Sequence, residues 1–260
     1  MDLNLKGKVV LVTGGASGIG EAIVWAAAKE GAIPAIVGRT AEKGEKLVAE
    51  LKKKGHESYF YQCELSREED CVEVVDHVLE KYNRIDHLVN NAGFNDGVGL
   101  ENGTPQAFMN SLYQNLFHYY TMAHYALPAL KATQGSIVNI SSKTAVTGQG
   151  GTSGYVASKA GQLGLTREWA VELLPFGIRV NAILPAEVMT PLYASWIQKF
   201  DNPEEKLRQI TAKIPLGNRM TTSKEIAHMA LFLMSDRASH ITGQHLYVDG
   251  GYTHLDRAIS

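Results

Sequence analysis

Residues 8–20 read KVVLVTGGASGIG, and this stretch decides the fold. Lys8–Thr13 is short, apolar and β-branched, which makes it a strand. Gly18–Lys29 has the length and apolar content of a helix. The glycines between them let the chain turn sharply and let its backbone approach a pyrophosphate, whose charge the helix N-terminus favours. The spacing is G-x3-G-x-G rather than the commoner G-x-G-x-x-G. A glycine-rich turn by itself can merely connect two elements. Its place between a strand and a helix is the context expected of a nucleotide site. Gly14, Ser17, Gly18, Ile19 and Gly20 are the candidate contacts.

Outward from this turn, strand-length apolar runs alternate with longer periodic segments. Strands are expected at Ala35–Gly38, with Pro34 at its edge, and at Ser58–Cys63, His87–Asn90, Ser136–Ile140, Arg179–Leu184 and Gln244–Val248. Helices are expected at Thr40–Lys54, Arg67–Lys81 and Ser153–Leu173. Another runs from Thr104-Pro105, an N-cap followed by a first-turn proline, to about Leu127-Pro128. A last one runs from Thr222, three residues before Glu225 as in a capping box, to about Ser235. Residues 186–215 read as irregular. Strict alternation calls for parallel strands with helices on both faces. The expected architecture is α/β, a single doubly wound parallel sheet over residues 1–260, with its ligand at the carboxyl ends of the strands.

The composition excludes several other roles. The chain has 260 residues, 45 % of them hydrophobic, and a formal net charge of −2 with acids and bases interspersed. Nucleic acid or an anionic membrane surface would call for a basic patch, so neither is an expected partner. Cys63 and Cys71 have no framework or metal spacing, which points to a reducing compartment. The start Met1-Asp2-Leu3-Asn4 lacks the basic and apolar runs of a signal peptide. No run reaches the roughly 20 apolar residues that span a bilayer, so the expected setting is cytoplasmic. The histidines show no metal-ligand spacing, and His118 and His124 read as helix-packing residues.

The end of the second strand should choose the cofactor. A carboxylate there would hold the ribose 2′-hydroxyl of NAD, whereas a basic residue accommodates the 2′-phosphate of NADP. The sequence is Gly38-Arg39-Thr40, and the planar fork of Arg39 favours NADP over NAD. Arg39 could instead be a solvated arginine at a helix start. After the fourth strand, the small residues in Asn90-Asn91-Ala92-Gly93 would let the backbone approach the adenosine side of the cofactor, although an ordinary Asn-Gly turn has the same composition.

Tyr155 and Lys159 stand four apart on one helix and so share a face. A phenol, with a pKa of about 10, is a poor base near neutrality. A neighbouring ammonium, together with the positive charge of an oxidised nicotinamide, would lower that pKa and make Tyr155 a usable general acid–base. Ser142, just beyond the fifth strand, could hydrogen-bond the reacting oxygen.

With these residues in this order, the chain resembles the short-chain dehydrogenase/reductase family over nearly its whole length. The matching stretches are Thr13–Gly20, Asn90–Gly93, Asn115-Leu116, Ile137–Ser142, Tyr155–Lys159, Arg179–Pro185 and Val248–Gly251. The resemblance implies a single-domain Rossmann-type fold and a catalytic set of Asn115, Ser142, Tyr155 and Lys159. In that set Ser142 positions the substrate oxygen and Tyr155 transfers its proton. Lys159 binds the nicotinamide ribose, and Asn115 holds a water in the proton relay. It also implies cofactor contacts from Glu64, Leu65, Asn91, Ala92, Gly93, Pro185, Val188 and Thr190. Two stretches depart from the family pattern: Glu64-Leu65 stands for the usual Asp-Val, and Pro185-Ala186 for the usual Pro-Gly. The long helices that start at Thr104 and Ser153 resemble those that build tetramers in this family, which implies a homotetramer.

Asn95, Asp96, Lys143, Gln149, Glu187, Tyr193 and Trp196 are the candidate pocket residues, with residues 186–215 as the substrate loop. Such a lining is polar with aromatic walls and suits a polyhydroxylated substrate better than a steroid or an acyl chain. Lys143 and Glu187 could instead pair with each other. Ser141–Gly148, Pro185–Tyr193, His118–Tyr125 and Gly250–Arg257 resemble bacterial sugar dehydrogenases acting on L-fucose. That resemblance implies oxidation of the anomeric carbon to a lactone. The alternatives are a 3-oxoacyl thioester reductase, which would want a basic patch for its carrier, and a cofactor-binding regulator, which would want Tyr155 or Lys159 missing.

Overall fold

The computed structural model describes residues 2–255. The strands are β1 (Val9–Thr13), β2 (Ile33–Gly38), β3 (Tyr59–Gln62), β4 (His87–Asn90), β5 (Ser136–Ile140), β6 (Arg179–Pro185) and β7 (His245–Val248). They form one parallel sheet in the order β3-β2-β1-β4-β5-β6-β7. The helices between them are α1 (Gly18–Lys29), α2 (Ala41–Lys53), α3 (Glu68–Tyr82), α4 (Pro105–Leu112), α5 (His118–Thr133), α6 (Thr144–Thr147), α7 (Ser153–Glu172), α8 (Pro191–Ile197), α9 (Pro203–Thr211) and α10 (Ser223–Met234). The chain order reverses between β1 and β4, so a crevice opens beyond their carboxyl ends.

Alternation along each strand divides the core in two. Val9 and Leu11 of β1 join Ala35, Leu88 and Ile137, against Val75 of α3 and Tyr119 and Met122 of α5. Val10 and Val12 face the other way, with Ile36, Val89 and Ile183, against Ile23 and Ala27 of α1 and Ile226 and Ala230 of α10. Burial on both faces explains why the strands read as continuous apolar runs. Among the described residues no helix is long and apolar enough to cross a membrane.

Three expectations are corrected. Pro34 does not stand at the edge of its strand but is the second residue of β2, paired with Val10 of β1. The Ile33 N–H donates to Lys8 O at 2.8 Å, so the nitrogen of Pro34 faces the β3 side, where pairing begins only at Ala35. The missing donor therefore breaks no ladder bond. Pro128 does not end its helix either. α5 runs on to Thr133, since Leu130 is buried in the core, and it stops where Gln134 turns left-handed and Gly135 N–H bonds back to Leu130 O. Residues 186–215 are also not irregular throughout. Thr190 and Asn202 each cap a helix whose first residue is proline, giving α8 and α9.

Between α4 and α5 the helix widens into a π-helical turn, Tyr113–Phe117. Such turns often mark functional sites. This one carries Asn115 and ends at His118.

Candidate active site

A cleft of about 470 Å³ lies beyond the carboxyl ends of the strands. Its floor is the turn before α1. Gly14 adopts a left-handed φ of +63°, and a Cβ on Gly20 would come within 2.2 Å of Gly14 O, so both positions require glycine. Asn91 straps this turn from β4: its Nδ2 donates to Thr13 O at 2.9 Å and to Gly14 O at 3.2 Å. Its backbone N–H donates to the Thr13 hydroxyl at 2.9 Å. Asn91 thus holds the nucleotide turn in shape.

Gly14, Ser17, Gly18 and Ile19 line the cleft, while Gly20 is buried behind it. Arg39, Glu64 and Leu65 line one end, and Ala92 and Gly93 the middle. Pro185, Val188 and Thr190 form the far wall. Arg39 is exposed, with its nearest guanidinium nitrogen 3.8 Å from Glu64. Lys43, in the first turn of α2, also lines the cleft. It was not among the sequence candidates, although its place one turn after Arg39 put it within reach.

α7 presents Tyr155 and Lys159 to the cleft, and buried polar bonds fix its position. Asn90 Nδ2 donates to Asn139 Oδ1 at 3.1 Å, and Asn139 Nδ2 donates to Thr166 Oγ1 at 2.9 Å. The Ser141 hydroxyl donates to Lys159 O at 2.8 Å. Ser142 and Tyr155 both line the cleft wall, where the Ser142 hydroxyl accepts from Thr144 N–H at 3.2 Å and lies 3.0 Å from Thr144 Oγ1. Lys159 Nζ sits behind them, donating to Ile140 O at 2.8 Å and to the Tyr119 hydroxyl at 3.4 Å. It lies 5.6 Å from the centroid of the Tyr155 ring.

In the protein alone, the pair is not shifted in the direction expected from the sequence. Burial pushes the Tyr155 phenol up to about 12, against a smaller lowering by Ser142. Burial also pushes Lys159 down to about 7. Desolvation opposes both charged forms.

Asn115 is wholly buried and does not touch the cleft. Its Oδ1 accepts from Phe94 N–H at 2.8 Å, its Nδ2 donates to Ser111 O at 3.1 Å, and its carbonyl accepts from Gln162 Nε2 at 2.7 Å. These bonds position the loop that carries Phe94 and Asn95.

Of the substrate candidates, Asn95, Ser142, Tyr155 and Tyr193 line the cleft. Lys143, Gln149, Glu187 and Trp196 do not. Lys143 is paired with Glu187 at 2.5 Å, and Glu187 also accepts from the Tyr193 hydroxyl at 2.8 Å. Gln149 is exposed in the loop before α7. Trp196 packs edge-on against Tyr193 and Phe200 on the outside of α8. Asp96 accepts from Val98 N–H in its own loop. Gln114 and His118 do line the cleft, and sequence reading missed both, because the π turn changes which side chains face inward. Of the tail Gly250–Arg257, the last two residues lie outside the described residues.

A family model described as "Enoyl-(Acyl carrier protein) reductase" matches residues 14–253. The 3-oxoacyl-[acyl-carrier-protein] reductase FabG of Thermotoga maritima is 37 % identical over 96 % of this chain and 99 % of its own. The L-fucose dehydrogenase of Bos taurus is 36 % identical over 96 % and 91 %. The chain belongs to the short-chain dehydrogenase/reductase family. Among solved members, the Cj0485 dehydrogenase is 50 % identical with a TM-score of 0.94, over 99 % of this chain and 98 % of that one. The L-sorbose reductase of Gluconobacter frateurii, solved with NADPH and L-sorbose, is 27 % identical with a TM-score of 0.94, over 98 % and 100 %. This short-chain dehydrogenase/reductase is an oxidoreductase whose family uses NAD or NADP. Its residues fit such a dinucleotide. The side-chain-free Gly14 and Gly18 leave the N-terminus of α1 open to a pyrophosphate, and the cleft volume falls within the range of ligand sites.

Proposed function

We propose that the protein is an NADP-linked dehydrogenase that oxidises the anomeric carbon of a free aldose, L-fucose or one sharing its ring stereochemistry, to the lactone. The observation that carries this reading is that Ser142 and Tyr155 share the cleft wall, with the Lys159 amine buried behind them. When bound, the dinucleotide supplies the acceptor for the hydride that leaves C1. Tyr155, as phenolate, takes the proton of the C1 hydroxyl while the C1 carbonyl forms, and Ser142 holds that oxygen. Lys159 in its charged form stabilises the phenolate. The lactone then opens with water to the aldonate.

The sugar reading is supported by the polar groups that share the cleft with Tyr155, namely Asn95, Gln114 and Tyr193, and by the likeness to L-fucose dehydrogenase. Lys143, the cation next to Ser142, is neutralised by Glu187, which favours an uncharged substrate. Arg39 and Lys43 together at the end of β2 support NADP.

A second reading, reduction of a 3-oxoacyl thioester, is favoured by the Thermotoga FabG relative. A screen of L-fucose, other aldoses and acetoacetyl thioesters with both cofactors, followed at the absorbance of the reduced nicotinamide, separates the two. Preference for the thioester over every aldose would overturn the sugar reading.

A further inference from the structure

Tyr193, in the first turn of α8, lines the cleft, whereas the two residues that hold it, Glu187 and Lys143, do not. Its backbone N–H donates to the Thr190 hydroxyl at 3.2 Å, and its ring meets Trp196 edge-on with centroids 5.1 Å apart. Both contacts fix where the phenol oxygen sits. That oxygen carries one proton, which it donates to Glu187 Oε2 at 2.8 Å. The opposite direction is closed to the pair, because a carboxylate bonded to the Lys143 ammonium has no proton to give. Burial and the Glu187 charge both push the Tyr193 phenol up, so the proton stays on it throughout the working range. The phenol oxygen has only lone pairs left over, and toward any further partner it can only accept.

We propose that Tyr193 is a specificity-determining residue that accepts a hydrogen bond from a substrate hydroxyl and, because Glu187 takes its only proton, cannot donate one. The inference rests on the aldose reading and names the feature of the aldose that is recognised: a ring hydroxyl, away from C1, read as a donor. A carbonyl, ether or carboxylate oxygen at that place would set lone pair against lone pair with no proton between them. The Lys143–Glu187 pair thus acts on selectivity from outside the cleft, by deciding which way one hydrogen bond runs. No proton changes owner in this contact.

The parent and two full-length variants are assayed with cofactor on the aldose that the parent oxidises best. They are also assayed on analogues in which each ring hydroxyl other than that at C1 is replaced by hydrogen or by fluorine, which accepts weakly and never donates. In the parent one position should stand out, where hydrogen and fluorine both lower kcat/KM by about tenfold, the size of one neutral bond. Tyr193→Phe should lose that discrimination, its kcat/KM on the full aldose falling to the level of the analogues. Glu187→Gln should reverse the bond. Its amide oxygen must still face the Lys143 ammonium, so its NH2 group stands where Oε2 stood and donates to the phenol oxygen. The phenol proton is then free to point into the cleft, and the fluoro analogue should gain severalfold on the deoxy analogue relative to the parent. Each comparison is a ratio within one variant, so lost stability cancels. Tyr193→Phe breaks no ion pair and decides the matter if Glu187→Gln fails to fold. Parental discrimination at every hydroxyl in Tyr193→Phe overturns the proposal, as does an unchanged fluoro-to-deoxy ratio in Glu187→Gln. A parent that oxidises no aldose removes the aldose reading and this inference together. A parent that oxidises one and shows either of those results removes this inference alone.

Discussion

Glu187 holds Lys143 and Tyr193 at once: its Oε1 accepts from Lys143 Nζ at 2.5 Å and its Oε2 from the Tyr193 hydroxyl at 2.8 Å. Lys143 Nζ also lies 3.7 Å from the centroid of the Tyr252 ring. The loops after β5 and β6, helix α8 and the turn after β7 are thereby joined at one point. The sequence suggested that Glu187 binds sugar hydroxyls, but its carboxylate is engaged within the protein.

Glu187→Ala should therefore act first on stability. It leaves Lys143, only 12 % exposed, without its counter-ion, and the expected loss is about 2–3 kcal/mol, since the site is not fully dry. Lys143→Met combined with Glu187→Leu should recover most of that loss. A denaturant double-mutant cycle reads the coupling directly. Independent, additive effects would show that the pair is incidental.

Tyr155→Phe should reduce turnover by about two to four orders of magnitude while the cofactor still binds, because only the phenol oxygen can take the proton. Fluorescence titration with reduced cofactor checks binding, and steady-state rates check turnover. Near-parental rates would remove Tyr155 from the chemistry.

Arg39→Asp should shift preference from NADP toward NAD. It removes the fork that would hold a 2′-phosphate and supplies a carboxylate for the 2′-hydroxyl. Lys43→Ala should weaken NADP selectively, since Lys43 lines the same end of the cleft. Comparing kcat/KM for the two cofactors in each variant tests this. An unchanged ratio in both would mean that these cations are solvated bystanders.

Acid should destabilise the fold through two buried imidazoles. Burial holds His87 at about 4 and His118 at about 3, against 6.5 for an ordinary histidine. Below pH 6.5 the unfolded chain takes up protons that the native chain refuses, so stability falls as pH falls toward 4. Each group contributes a slope of up to about 1.4 kcal/mol per pH unit in that window. Denaturant unfolding at pH 7 and pH 5 should show the loss. His87→Asn, which can keep a partner for the Ser136 hydroxyl, should flatten it by about half. A pH-independent stability would refute the assignment.

Most of the fold was legible because each decisive element carries its own local signal. The glycine turn, the Thr104-Pro105 start and the Thr222–Glu225 capping box all appear where the sequence places them. α8 and α9 were not read, although Thr190-Pro191 and Asn202-Pro203 repeat the signal at Thr104-Pro105. Both are short, and irregular apolar spacing hid them. In the site, Ser142, Tyr155 and Lys159 were legible as a combination of types and order. The direction of Lys143, Glu187 and Trp196 was not, since neighbours in sequence need not point the same way at the end of a strand. His118 was hidden by the π turn, which no residue pattern announces.

That turn has a consequence for what the helix can tolerate. Tyr113–Phe117 carries one residue more than regular winding would use, and one residue corresponds to about 100° of rotation. It acts as a phase shifter. Ser111 before it stays turned toward Ser158 of α7, and Tyr119 and Met122 after it stay turned into the core. Deleting any single residue between 113 and 117 would give a helix with better hydrogen bonds and the wrong angle between its halves. Ser111 would swing away from α7, or Tyr119 would leave the Ile140 carbonyl. Through this segment, the fold depends on the number of residues at least as strictly as on their identity.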